Sequence, residues 1–141
     1  MNSEFTIAVH SLVLLAYHPG KMASSNYIAE NVSTHPARVR KVMGLLKKTG
    51  YVVSKEGVGG GFILKADPDQ VTLGEIYRVT SEGSLHPNWC SGDRNMPCVV
   101  ASNIEEVMAK VFCDAETHLT LYFDKFTISD VLKELKTTQT K

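Results

Sequence analysis

Apolar residues recur along the first third of this chain at helical spacing. Ile7, Ala8, Leu12, Leu15 and Ala16 form one face of a first helix, with Asn2 or Ser3 available to cap it and Pro19-Gly20 to stop it. Ser24 or Ser25 can cap a short second helix whose inward residues are Ile28, Ala29 and Val32. Thr34 is placed to cap a third, and Pro36 suits a first helical turn. There Val39, Val42, Met43 and Leu46 make a buried stripe, while Ala37, Arg40, Lys41, Gly44 and Lys48 gather on the opposite side. Gly44 costs about 1 kcal/mol relative to alanine inside a helix. Close approach of another surface is one way to account for it. Gly50 stands where a C′ glycine belongs.

The period then shifts. Tyr51–Lys55 and Phe62–Lys65 are β-type runs, and Gly57, Gly59, Gly60 and Gly61 lie in the turn between them, which predicts a hairpin. Thr72-Leu73-Gly74-Glu75 reads as a capping box opening a fourth helix. Residues 81–97 are rich in Ser, Gly, Pro and Asn and read as a long loop. A long helix is expected from about Cys98 to Phe123. Its stripe of Ile104, Met108, Val111, Ala115, Leu119 and Tyr122 is able to pack on its own domain or on a second copy. A last helix is expected from near Ser129.

The glycine run is not a phosphate loop. It lacks the full G-x-G-x-x-G pattern, because Phe62 takes the last position, and a strand rather than a helix follows it. The order of helix, helix, basic helix and hairpin is that of a winged helix-turn-helix. In that arrangement the third helix enters the major groove and the hairpin lies over neighbouring backbone. Charge agrees with this. The 141 residues carry no formal net charge, yet residues 1–65 hold eight Lys and Arg against three acids, a net of +5, which the remainder cancels with seven against twelve. Hydrophobic content of 43% supports a packed core. No apolar stretch is long enough to span a bilayer and no export signal is evident, so the expected location is cytoplasmic, without membrane contact. No acid–base pair or activated nucleophile stands out, so an enzyme is not expected.

Three segments together resemble the Rrf-two family of bacterial winged-helix regulators, the family of IscR, NsrR and CymR. They are His35-Pro36-Ala37-Arg38-Val39-Arg40-Lys41-Val42, Leu46-Lys47-Lys48-Thr49-Gly50-Tyr51-Val52 and Gly57-Val58-Gly59-Gly60-Gly61-Phe62-Ile63-Leu64. Val71-Thr72-Leu73-Gly74-Glu75-Ile76-Tyr77 adds to the likeness, which is strong over residues 1–80 and looser beyond. The resemblance implies a homodimeric transcription factor, most often a repressor, on a pseudo-palindromic double-stranded operator, with the long helix as the dimerisation element. The expected architecture is mainly α with a small β-hairpin: a winged helix-turn-helix at 1–80, a sensor or linker loop at 81–97, and a dimerisation helix plus C-terminal helix at 98–141. DNA contact is expected from Arg38, Arg40, Lys41 and Lys48, helped at helix starts by Ser25, Asn26, Thr34 and His35, with Lys55, Gly59, Gly60 and Gly61 in the wing. Glu56 stands just before the first wing glycine, where family wings often carry a basic residue.

Several family members bind an iron–sulfur cluster through three closely and evenly spaced cysteines. Here seven residues separate Cys90 from Cys98 and fourteen separate Cys98 from Cys113, so the ligands do not carry over, and no cofactor or metal is expected. His86 and His118 add no C-x-x-C pairing that would make a zinc site. A thiol switch is the alternative, with Cys98 activated in the first turn of the long helix and Cys90 resolving its sulfenic acid. In the competing reading, Cys98 and Cys113 are small core residues. Trp89 is expected to anchor the loop in the core, with an effector-pocket wall as its other role. Two rival functions remain: a metabolite-sensing regulator without redox chemistry, and a winged-helix module that docks another protein.

Overall fold

The computed structural model describes residues 2–139; the outermost residues of the expected 98–141 segment, 140 and 141, lie outside the described residues. Among the described residues the elements follow in the order α1 (Ser3–Tyr17), β1 (Met22–Ala23), α2 (Ser25–Val32), α3 (Pro36–Lys48), β2 (Val52–Lys55), β3 (Gly61–Leu64), α4 (Leu73–Thr80), α5 (Val99–Phe123) and α6 (Ile128–Gln139). The strands form one antiparallel sheet in the order β1-β3-β2. Met22 pairs with Ile63, and Val52 with Leu64. Sequence periodicity missed β1, because two residues cannot display a period of two.

The core fills the space between α1, α2, α3, α4 and the sheet. Leu12, Leu15, Ile28, Val39, Val42, Met43, Leu46, Val52, Ile76 and Tyr77 are all but fully buried. The stripe read from α3 is therefore the inward face of that helix, and burial of each such side chain contributes roughly 1.5–3 kcal/mol. Local signals set the helix ends. Ser24 Oγ accepts from Tyr27 N–H (3.1 Å) and caps α2, and Thr72 Oγ1 accepts from Glu75 N–H (3.1 Å) and caps α4. At the end of α3, Gly50 N–H donates to Lys47 O and Tyr51 N–H to Leu46 O (both 3.1 Å). Gly50 has φ +85°, which completes a Schellman turn. The expectation that Thr34 caps α3 is corrected. His35 is the cap, and its Nδ1 accepts from Ala37 N–H at 3.1 Å. Thr34 instead closes α2 by donating its N–H to Ala29 O (3.0 Å), after Ser33 has turned the chain at φ +66°.

α5 behaves differently from every helix before it. Of its 25 residues only Thr120 is buried. Its C-terminal end is locked onto α4. Asp124 takes a bidentate pair from Arg78, 3.0 Å from Nη1 and 2.7 Å from Nη2, and a third bond from Thr72 Oγ1 (3.2 Å). A side chain at Gly74 would place its Cβ 1.8 Å from Asp124 Oδ1, so this glycine is what lets α5 come so close. Behind the pair, Phe5 stacks on Phe123 (ring centroids 5.1 Å) and Tyr77 meets both rings edge-on. The chain then turns, Ile128 N–H donating to Val71 O (3.0 Å), and α6 packs back along α1.

The Arg78 guanidinium beside Asp124 holds its carboxyl below the usual carboxylate range. A depressed folded pKa adds stability that is present above the unfolded value, about 3.9, and is lost as pH falls through the folded value. Asp124→Asn should cost about 1 kcal/mol near neutral pH, the level of a half-exposed ion pair. Unfolding curves of the two proteins should converge only once pH has fallen below the depressed folded value, where wild-type Asp124 is protonated.

Candidate DNA interface and the cysteine loop

α2, the Ser33–His35 turn and α3 form a helix-turn-helix, with the β2–β3 hairpin as its wing. Ala37, Arg38, Arg40, Lys41 and Lys48 are exposed on α3, as are Asn26 at the start of α2 and Lys55 in the wing, while Ser25 is half-buried. All of the expected contact residues of α3 face solvent, with Arg38 and Arg40 on opposite flanks because two residues turn a helix by about 200°. His35 is exposed, but its role in the free protein is the cap described above. Nothing lies within 4 Å of where a Cβ on Gly44 would stand, so packing inside the protomer does not require a glycine there.

The wing glycines divide by cause. Gly57 (φ +91°) and Gly59 (φ +76°) supply the left-handed turn. Gly60 and Gly61 serve close approach: a Cβ on Gly60 would fall 2.2 Å from Lys55 O, and one on Gly61 2.4 Å from Ala23 O. Gly61 thus seats β3 against β1, a role the sequence did not suggest. Lys55 and Glu56 both stay exposed, and the tip residue Val58 is fully exposed. Lys47 Nζ donates to Ser54 Oγ (2.8 Å), a tie between α3 and the wing that sequence reading also missed.

The long loop runs along α5. Gly83 N–H donates to Glu116 Oε1 (2.6 Å) and Asp93 N–H to Ala101 O (2.8 Å). Trp89 is 76% exposed, which overturns the expected core anchor. With Cys90, Met108 and Phe112 it borders a cavity of about 220 Å³. Cys90, Cys98 and Cys113 are all exposed free thiols, so the reading of Cys98 and Cys113 as core residues does not hold within the protomer. Cys98 is the N-cap of α5 rather than a first-turn residue. The Ala101 N–H, helped by that of Val100, draws its thiol below the usual range. Along α5, Val107, Val111, Leu121 and Tyr122 are half or more exposed, and Met108 more than a third. Ile104 is half-covered by the loop, Ala115 is exposed, and Leu119 packs against the core, so within one chain the stripe is not a single buried face against its own domain.

A family model described as Rrf2, iron-dependent transcriptional regulator, matches residues 1–134. The chain belongs to the Rrf2 family. YwnA of Bacillus subtilis (strain 168), named as an HTH-type transcriptional regulator, is 30% identical over 139 residues, spanning 96% of this chain and 98% of that protein. The crystal structure of a transcriptional regulator from Lactobacillus plantarum matches with a TM-score of 0.84 at 25% identity, over 96% of this chain and 91% of that one. IscR of T. potens matches with a TM-score of 0.71 at 26% identity, over 99% and 90%. This Rrf2 chain is a transcriptional regulator with the family's DNA-binding winged helix, and its relatives are regulators rather than enzymes. Among the described residues no helix is long and apolar enough to cross a membrane.

The family description raises iron, and the residues of the protomer do not fit it. A cluster needs thiolates converging on one point. Cys113 lies fifteen residues beyond Cys98 on the same helix, about 22 Å along its axis at 1.5 Å per residue. Among the described residues no group of three or more His, Cys, Asp or Glu gathers to hold a metal ion.

Open space at Gly44 makes a clean test of the α3 face. Gly44→Ala should stabilise the free protein by about 1 kcal/mol, the helix cost of glycine. If a duplex packs there it should also weaken DNA binding. Denaturant unfolding and a duplex titration measure the two effects separately.

Proposed function

We propose that this Rrf2 protein is a homodimeric repressor that reads a pseudo-palindromic operator with α3 and takes thiol oxidation as its input. The observation that carries the reading is the exposed basic face of α3 beside a glycine-tipped wing. Arg40 is the candidate base reader; Arg38, Lys41, Lys48 and Lys55 are candidate phosphate or base contacts, with Ser25, Asn26, Thr34 and His35 near the helix starts and Gly59–Gly61 in the wing. Dimerisation through α5 would cover Val107, Met108, Val111 and Tyr122, which one protomer leaves in water. Domains at 1–80, 81–97 and 98–141 follow from the same division of labour. The protein acts in the cytoplasm, where its DNA is.

Cys98 is the sensing thiol in this reading. Its thiolate attacks a peroxide oxygen, giving a sulfenic acid and releasing the other oxygen as hydroxide or water; Cys90 then attacks that sulfur, and hydroxide leaves as the disulfide forms. A disulfide needs Cα atoms about 4.4–6.8 Å apart. Cys90 borders the cavity walled by Ile104, Met108 and Phe112, and Ile104 lies six residues, about 9 Å along the axis, from Cys98. Oxidation would therefore drag the loop along α5. That movement is the route to an altered spacing of two reading heads.

A metabolite-sensing regulator is the second reading, and one observation favours it. A groove of about 570 Å³ lies between α1 and α6, walled by Val9, Val13, Leu14, Val131 and Leu132, with His10 Nε2 bonded to Asn31 Oδ1 (2.7 Å) at its rim. Its volume is that of a small-ligand site.

Fluorescence-anisotropy titration against promoter fragments, with and without diamide, tests the proposal. Specific binding should be lost on oxidation, restored by dithiothreitol, and insensitive to oxidant in Cys98→Ser. Binding indifferent to oxidant would remove the thiol input and favour the metabolite reading. Arg40→Ala should cost about 1–3 kcal/mol of specific binding if the side chain reads a base. A smaller loss, equal on all sequences, would assign it to a phosphate.

A further inference from the structure

The cations of α3 are not equally available. Lys41 Nζ lies 2.8 Å from Glu4 Oε1 in the first turn of α1, and the Arg38 guanidinium donates to Ser3 Oγ beside it. Arg40 and Lys48 make no hydrogen bond or ion pair among the described residues. The two partners in the Lys41 pair are unlike. Its side chain is 71% exposed, that of Glu4 only 24%. The following residues Phe5, Ile7 and Ala8 are in the core, so the carboxylate sits on a fixed platform and the lysine folds onto it.

We propose that Glu4 sets the salt dependence and the overall strength of duplex binding: its carboxylate occupies Lys41 as a DNA phosphate would, and so withholds that charge from sequence-independent backbone contact. The inference rests on the reading of α3 as the DNA-contacting helix. A free lysine that neutralises a phosphate releases a counterion and gains affinity on any duplex. A lysine already paired exchanges one oxyanion for another and gains little. The displaced Glu4 then faces a polyanion. Both effects weaken binding to every sequence, whereas hydrogen bonds from Arg40 to base edges would be made only on the operator. A term common to every sequence leaves the ratio of specific to non-specific affinity unchanged and lowers the salt concentration at which the protein leaves any duplex.

The test uses the full-length protein, a random-sequence duplex, and a series of potassium chloride concentrations. Glu4→Gln keeps the shape of the side chain and removes its charge. It should tighten binding to the random duplex by up to about tenfold at low salt and steepen the slope of log K against log salt by about 0.9, one added phosphate contact. Glu4→Gln combined with Lys41→Ala should return the slope to that of wild type. Unchanged affinity and slope in Glu4→Gln, with wild type binding duplex normally, would overturn the inference while sparing the α3 reading. Weaker binding would also overturn it, since Glu4 would then orient Lys41 for contact. A steeper slope that persists without Lys41 would overturn it too, by assigning the effect to repulsion alone. Wild type that binds no duplex at any salt would sink the α3 reading and this inference together.

Discussion

The Asp124 carboxylate decides how the two halves of this molecule are joined. It ties the Arg78 guanidinium of α4 and the Thr72 hydroxyl to the end of α5, and the space it needs exists only because residue 74 has no side chain. The Phe5–Phe123–Tyr77 cluster seals the apolar side of the same joint. Backbone bonds from Leu73 to Phe126 (2.8 Å) and from Ile128 to Val71 (3.0 Å) then fix the turn into α6. Several short contacts of different chemistry, spread over the first two turns of α4 and its cap, join the end of α5 to the winged helix.

The winged helix is held from the inside by dispersion and burial and from the outside by single polar ties. Ser3 and Glu4 tie α1 to Arg38 and Lys41, and Ser54 ties the wing to Lys47. Tyr51 adds a further tie: its hydroxyl donates to Glu75 (3.2 Å), and burial together with the nearby carboxylate pushes its pKa up to about 12, so it remains a donor at every physiological pH. These bonds are weak individually, since each competes with water. Their effect is to pin α1, α3, α4 and the wing to one another over a surface whose shape the core has already fixed.

Much of this was legible along the chain. The buried face of α3, the Schellman glycine at 50, the caps at Ser24 and Thr72, and the hairpin at 52–64 are local matters of spacing, φ and one-turn hydrogen bonds, and they came out where the pattern put them. The errors are of a different kind. Thr34 and His35 compete for one cap, and a three-residue turn decides between them by where it points each side chain. Trp89 is apolar enough for a core, yet its loop runs along a helix with little core beneath it.

The sequence by itself determined the class of fold, because amphipathic period and turn chemistry are properties of neighbours in the chain. It also determined the Rrf2 likeness, which lies in contiguous motifs. Only the tertiary structure decided which glycines turn the chain and which admit another backbone, that Asp124 meets Arg78 across 46 residues, and that Glu4 meets Lys41 across 37. It likewise decided that Cys98 stands at the N-cap position of α5 while Cys90 borders a cavity further along it. Such pairings follow from the packing of whole elements, and no local pattern carries the distance between residues that far apart.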